Sequence, residues 1–259
     1  MSETVNPDST ARALGVTLAV AFVCALLVSV VAVSLRPVQQ ANIKAERVNQ
    51  LVREALSGID PALKTENLEA HVVELASGKF DDSIDPADFD AEVAANNPET
   101  SVEIPRELDL SRLKRRALHA QVYLLRESDG AIHTIILPVS GRGYQSTLRA
   151  WLLLKGDAST VRALKIYQQG ETPGVGSRVE DPDWQAQWRG RPIYDDEGVV
   201  RIGVDTGRGE DSEMYAKYQV DSISGATRTA RGVDGMVRFW LGEFGFGPFL
   251  QRIRETNPR

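Results

Sequence analysis

The stretch Asp221-Ser222-Ile223-Ser224-Gly225-Ala226-Thr227-Arg228-Thr229 joins a turn of small residues to a long apolar pattern. After it, Val233, Met236, Val237, Trp240, Leu241 and Phe244 recur at spacings of three and four. That period places an amphipathic helix from about Thr227 onward, with one face for a core. A hydroxyl residue just before such a run has two readings. It can accept bonds from the unpaired N–H groups of the first turn as an N-cap. Alternatively, the same N–H groups and the helix dipole can hold an anion. Gly225 and Ala226 are small enough for a bulky group to lie against the backbone. The residues of the stretch leave both readings open.

Working upstream, the sequence turns to strand-like runs. Leu118–Arg126 and Ala131–Val139 are β-rich and joined by Ser128-Asp129-Gly130, a hairpin signal. The glycine- and hydroxyl-rich Ser140-Gly141-Arg142-Gly143-Tyr144-Gln145-Ser146-Thr147 precedes another apolar run through Leu154. Val161–Gln168 reads as a further strand, leading into the turn-rich Gln169-Gly170-Glu171-Thr172-Pro173-Gly174-Val175-Gly176. Trp184 and Trp188 sit four apart on a short helix, and Val199–Val204 is one more strand. The expected class is α+β, with three loops rich in Gly, Ser and Thr placed after strands, where sites are commonly carried. Gly141-Arg142-Gly143 is no dinucleotide fingerprint, because the third glycine and the βαβ setting are missing. Trp151, Trp184, Trp188 and Trp240 are read as core.

The N-terminal part has another character. Residues 13–35 contain no charged side chain. At 1.5 Å per residue they span about 34 Å, enough to cross a hydrocarbon core as a single transmembrane helix. The run is long for a cleaved signal peptide, which favours a retained anchor. Arg12 stands against Arg36, Lys44 and Arg47, a charge bias that leans toward a cytoplasmic C-terminal part. Ile43, Val48, Leu51, Val52 and Ala55 form a helical stripe, read as a stalk, and the segment from Asp81 to Pro98 is an acidic surface excursion. The expected organisation is a tail (1–12), the transmembrane helix (13–35), stalk and acidic segment (36–117), a soluble domain (118–250) and a C-terminal tail (251–259).

Charge and cysteine content exclude several classes. The chain has 259 residues and a net charge of −6, and the basic run Arg112-Leu113-Lys114-Arg115-Arg116 is too short to make a nucleic-acid face. Cys24 is the single cysteine, so no internal disulfide and no cysteine metal cluster can form. His71, His119 and His133 are scattered, and no metal site is expected.

The stretch Asp221-x-x-Ser224-Gly225-Ala226-Thr227 resembles the flavinylation motif of the FMN-binding domain family. Together with the N-terminal anchor, Ser140-Gly141-Arg142-Gly143, Gly170-Glu171-Thr172-Pro173-Gly174 and the tail Gly245-Phe246-Gly247-Pro248-Phe249, it makes the chain similar to the C component of the Na+-translocating NADH:quinone reductases. That resemblance implies FMN bound covalently, by a phosphoester to Thr227 rather than Thr229, with Ser224, Gly225 and Ala226 beside it. It makes Glu171, Thr172, Pro173 and Gly174 the expected second wall of the flavin site, with Ser146 and Thr147 behind. A separate flavin transferase would make the bond from FAD, and Asp221 is either part of what that enzyme reads or a turn residue. No catalytic residue is assigned. The implied function is an electron relay without a complete active site of its own, inside a Na+-pumping enzyme whose other subunits are its partners. The family places the soluble domain on the periplasmic side of the bacterial inner membrane, against the charge bias. Other readings are the related G component of the ion-pumping ferredoxin:NAD+ reductases, a membrane-anchored flavin sensor, and a structural subunit in which the motif is only a cap.

Overall fold

The computed structural model describes residues 15–26, 29, 67–205 and 216–256. The chain divides into two compact units, 1–49 and 50–259. In the first, residues 15–26 form helix α1, which exposes Val16, Leu18, Val20, Phe22, Val23 and Leu26. Among the described residues no helix is long and apolar enough to cross a membrane. The anchor expected over 13–35 extends beyond them, and most of the expected stalk lies outside them.

The second unit is built on a six-stranded antiparallel sheet in the order β2-β1-β5-β6-β7-β8. Its strands are β1 (Leu68–Glu74), β2 (Lys79–Phe80), β5 (His119–Arg126), β6 (Ile132–Arg142), β7 (Thr147–Lys155) and β8 (Val161–Gln168). A short pair, β3 (Ser101–Glu103) with β4 (Arg115–Ala117), stands beside it. Helix α2 (Ala91–Asn96) is started by Asp90, whose side chain accepts from Glu92 and Val93 N–H.

One sheet face is aliphatic at every second position. Val122 and Leu124 on β5, Ile135, Leu137 and Val139 on β6, and Leu148, Ala150, Leu152 and Leu154 on β7 all join one core. Helix α4 (Thr227–Leu241) brings Ala230, Val233, Met236, Val237, Trp240 and Leu241 to the same core. This is the helix expected from the 3.6-residue period, and it begins at the expected residue.

The line of α4 over β6 positions everything that follows. A Cβ on Gly232 would lie 2.7 Å from the Arg142 carbonyl oxygen, and one on Gly141 would lie 2.8 Å from Met236 Cβ. Near its far end, Trp240 Nε1 donates to the Ser140 carbonyl at 2.7 Å. The helix N-terminus therefore points past the end of β6, toward the loop that follows. Gly235 meets the Leu110 carbonyl, 2.2 Å from where a Cβ would stand. We expect Gly235→Ala to lower stability by about 2 kcal/mol, read from thermal melting, because backbone must move to admit the methyl group.

The folded unit takes in chain on both sides of the expected 118–250 segment. β1 supplies β5 with a partner from Leu68↔Leu125 to Glu74↔His119. At the other end, α5 (Gly247–Thr256) buries Phe249, Leu250 and Ile253. The strand expected over Val199–Val204 is reduced to β9 (Gly203–Val204), since Arg201 and Ile202 N–H both donate to the Ile193 carbonyl and kink the run. The expected short helix is α3 (Pro182–Ala186), and it ends before Trp188, which is fully buried.

Candidate functional site

Three segments meet at the N-terminus of α4. Parallel strands β9 and β10 (Gln219–Val220) deliver the chain to Asp221. Asp234 secures this ribbon to α4, accepting from Val204 N–H at 3.1 Å and from Arg238 Nε at 2.9 Å. The Asp221 backbone is then gripped twice: Trp184 Nε1 donates to its carbonyl and its N–H donates to Gln187 Oε1, each at 2.8 Å. Asp221, Ser222 and Ile223 form one wall of a cleft of about 320 Å3, with Arg178, Asp181, Asp183 and Trp184 among its other lining residues.

From the cleft the chain turns into the helix. Ala226 N–H donates to the Ile223 carbonyl at 2.9 Å, and Gly225 between them has φ +77°. That left-handed conformation strains any residue with a Cβ, which is why glycine stands there. The N-cap position belongs to Ala226, and no side chain caps the helix. The bond from Ala230 N–H to the Ala226 carbonyl opens the helical pattern, so the N–H groups of Thr227, Arg228 and Thr229 precede it. Thr227 is exposed at the first helical position, whereas Thr229, two residues further on, is buried. Ser224 is exposed and does not cap. The ordinary cap geometry is absent, and an exposed hydroxyl is left at the positive end of a 15-residue helix.

Glu171 joins the other two loops to this helix. Glu171 is 4% exposed, and its carboxylate accepts from Tyr144 N–H at 3.1 Å, Gln145 N–H at 3.0 Å, Ser146 N–H at 3.0 Å and Ser146 Oγ at 3.0 Å. Thr229 Oγ1 donates to it at 2.6 Å. Burial pushes the Glu171 pKa up, but the hydrogen bonds from Thr229, Ser146 and Gln145 together pull harder, and it ends below its ordinary value. Two oxygens offer about four lone-pair positions, so these donors use the carboxylate fully. Gly143 and Gly176 press against it, with Cβ positions 2.6 Å from Oε1 and 2.8 Å from the Glu171 Cβ.

The other residues singled out from the sequence divide accordingly. Ser146 Oγ also accepts from Gly170 N–H at 2.8 Å, and Thr172 Oγ1 accepts from Gln145 Nε2 at 2.9 Å. Both are therefore part of the loop framework. Thr147 is half-buried at the start of β7, paired with Arg142. Pro173 and Gly174 form an exposed turn, closed by Gly174 N–H donating to Ser177 Oγ at 2.9 Å. Asp221 stands apart from these loops, on the cleft wall. Two neighbours are absent from the residues that the sequence singles out. Tyr144 is 51% exposed, and the Arg228 guanidinium lies 4.9 Å from its ring centre. An aromatic residue inside a loop of glycines and hydroxyls is the available signal for the first.

Comparison with known proteins gives the class: the family pattern of the FMN-binding domain matches residues 143–242, from the glycine beside Glu171 to the end of α4. The C component of the Na(+)-translocating NADH-quinone reductase from Pseudomonas aeruginosa is 40% identical, over 96% of this chain and 98% of its own. The protein of the same name from Neisseria meningitidis is 34% identical over 99% of both chains. The crystal structure of Shewanella oneidensis NqrC is similar with a TM-score of 0.66 at 31% identity, covering 74% of this chain and 86% of its own. The chain belongs to the NqrC family, the C component of the Na(+)-translocating NADH-quinone reductases.

Proposed function

We propose that this chain is the FMN-carrying electron-relay subunit of a Na+-translocating NADH:quinone reductase, with the FMN joined to Thr227 by a phosphoester. The observation that carries the reading is the exposed Thr227 hydroxyl at the start of an uncapped helix, inside the matched FMN-binding domain. The relatives' name favours this role over a ferredoxin:NAD+ reductase component or a flavin sensor.

The residues present suit such a group. FMN supplies reversible electron uptake when bound. Thr227 offers the attaching oxygen, and the N–H groups of the first turn offset a phosphoester's charge. Gly225 has open space where a Cβ would stand, so a bulky group can approach its backbone. Ser224 and Ala226 flank that approach, and Pro173 and Gly174 present an exposed wall. Glu171, Thr172, Ser146 and Thr147 act behind it by holding the loops. An unactivated threonine hydroxyl is a weak nucleophile, so a flavin transferase makes the bond from FAD. The Thr227 Oγ–phosphorus bond forms as the pyrophosphate linkage breaks, AMP leaves, and the hydroxyl proton passes to the transferase. Asp221, exposed just before the acceptor turn, is the residue we assign to transferase recognition. Residues 13–35 anchor the chain in the bacterial inner membrane, with the domain on the periplasmic side and the other subunits of the complex as its partners.

Peptide mass spectrometry after co-expression with a flavin transferase tests this. Trypsin cuts after Lys217 and Arg228, so Thr227 and Thr229 fall on different peptides. The expected result is FMN minus water on the peptide ending at Arg228. Addition on the Thr229 peptide would move the acceptor. No addition, with the transferase active on a control, would overturn the reading.

A further inference from the structure

One side of the α4 N-terminus is basic, the other being the acidic cleft wall of Asp181, Asp183 and Asp221. Overall the protein carries −6, yet Arg112, Arg142, Arg228 and Arg231 are all exposed at this end of the domain. Their proximity follows from backbone contacts. Gly232, next to Arg231, packs on the Arg142 carbonyl and Gly143 Cα. Arg112 Nη2 donates to the carbonyls of Arg142 and Gly143. Arg228 lies over the ring of Tyr144, which directly follows Gly143.

Arg112 is also held in place at a cost. Its φ is +57° and that of Lys114 is +67°, a conformation that strains residues other than glycine. Asp109 stabilises the turn, accepting from Leu113 N–H at 2.9 Å and Lys114 N–H at 2.8 Å. Among the described residues, none of the four arginines forms an ion pair with a carboxylate. A phosphodiester on Thr227 brings a single negative charge and leaves most of theirs uncompensated.

We infer that this face is the docking surface for an acidic redox partner protein, placed so that electrons enter or leave beside Thr227. The inference rests on the proposed FMN attachment for its redox meaning, but not for the contact itself. Arginines beside an exposed tyrosine are the composition of protein interfaces, from which lysine is depleted. A flat anionic lipid surface has no such need for arginine's planar fork. Each electron crossing oxidises one centre and reduces the other, with no bond made or broken. Opposite charge on the two faces speeds encounter and fixes orientation.

The test uses the complete membrane complex carrying Arg142→Glu with Arg231→Glu, beside Arg142→Lys with Arg231→Lys. Time-resolved reduction of the covalent flavin by NADH is followed at several salt concentrations, and co-purification of the other subunits reports docking without reference to flavin. The glutamate variant should slow transfer into or out of this subunit about tenfold or more at low salt and lose the salt dependence shown by the native complex. The lysine variant should recover most of both. Loss of co-purification in the glutamate variant, recovered by lysine, would report the same contact as affinity and support the inference. Unchanged rates, salt response and co-purification would overturn it. So would an effect confined to binding vesicles of anionic phospholipid, which would assign the face to lipid. A native complex without covalent flavin would remove the proposed function instead, leaving co-purification to decide the docking surface.

Discussion

Replacing Thr227 with alanine is expected to abolish covalent flavin while stability stays within about 0.5 kcal/mol of the native domain. The two halves of that result have separate causes. Only the Oγ atom can form the phosphoester, and alanine has none. The small stability change follows because Thr227 is exposed and is not the capping residue; an N-cap lost to alanine would cost about 1 kcal/mol. Alanine is also the better helix former. In-gel flavin fluorescence and a thermal melt on the same preparation check both halves. Retained fluorescence would move the acceptor elsewhere, and a large loss of stability would mean that the hydroxyl supports the fold.

The second large effect belongs to Glu171. Glu171→Ala orphans the N–H groups of Tyr144, Gln145 and Ser146 together with the Thr229 hydroxyl. At roughly 1 kcal/mol or more for each buried group left unpaired, the loss is on the order of 3 kcal/mol. For a domain of this size that lowers the melting temperature by about 10 °C. Glu171→Gln keeps the shape but turns an amide NH2 toward some of the same donors, so it also destabilises, by less. The pH dependence has a definite sign. The folded pKa lies below the ordinary carboxyl value of 4.5, so the stabilisation is present above the unfolded pKa and lost as pH falls through the folded one. The gap in melting temperature between native protein and Glu171→Gln should therefore narrow on acidification. A gap that stayed constant well below about pH 4 would show that the charge is not what matters.

Glu171 also shows where sequence reading stops. Its neighbours Thr172, Pro173 and Gly174 mark a loop, and the loop does lie at the site. A sequence cannot show that the carboxylate turns inward, because its five donors come from residues 144–146 and 229, far along the chain. Local signals carry further. The hairpin at Ser128-Asp129-Gly130, the strand Val161–Gln168 and the start of α4 at Thr227 each rest on a short-range pattern, and each is present. β1 falls instead within the expected stalk and acidic segment. Glu69 and His71 break its apolar character, and its strand form depends on β5, about fifty residues away. Tyr144 and Arg228 are adjacent only because α4 crosses the end of β6.

The docking of α5 has a consequence for how the protein is made. A Cβ on Gly78 would lie 2.4 Å from the Phe249 backbone nitrogen, and Phe80 meets Phe249 edge to face. The turn between the first two strands of the sheet is thus closed by residues from beyond α4, far along the chain. Because α5 follows the strands and α4 in sequence, it is made after them. The sheet therefore acquires this cover only after α4 has been made, so a chain cut between α4 and α5 would keep the residues of the site and lack the cover.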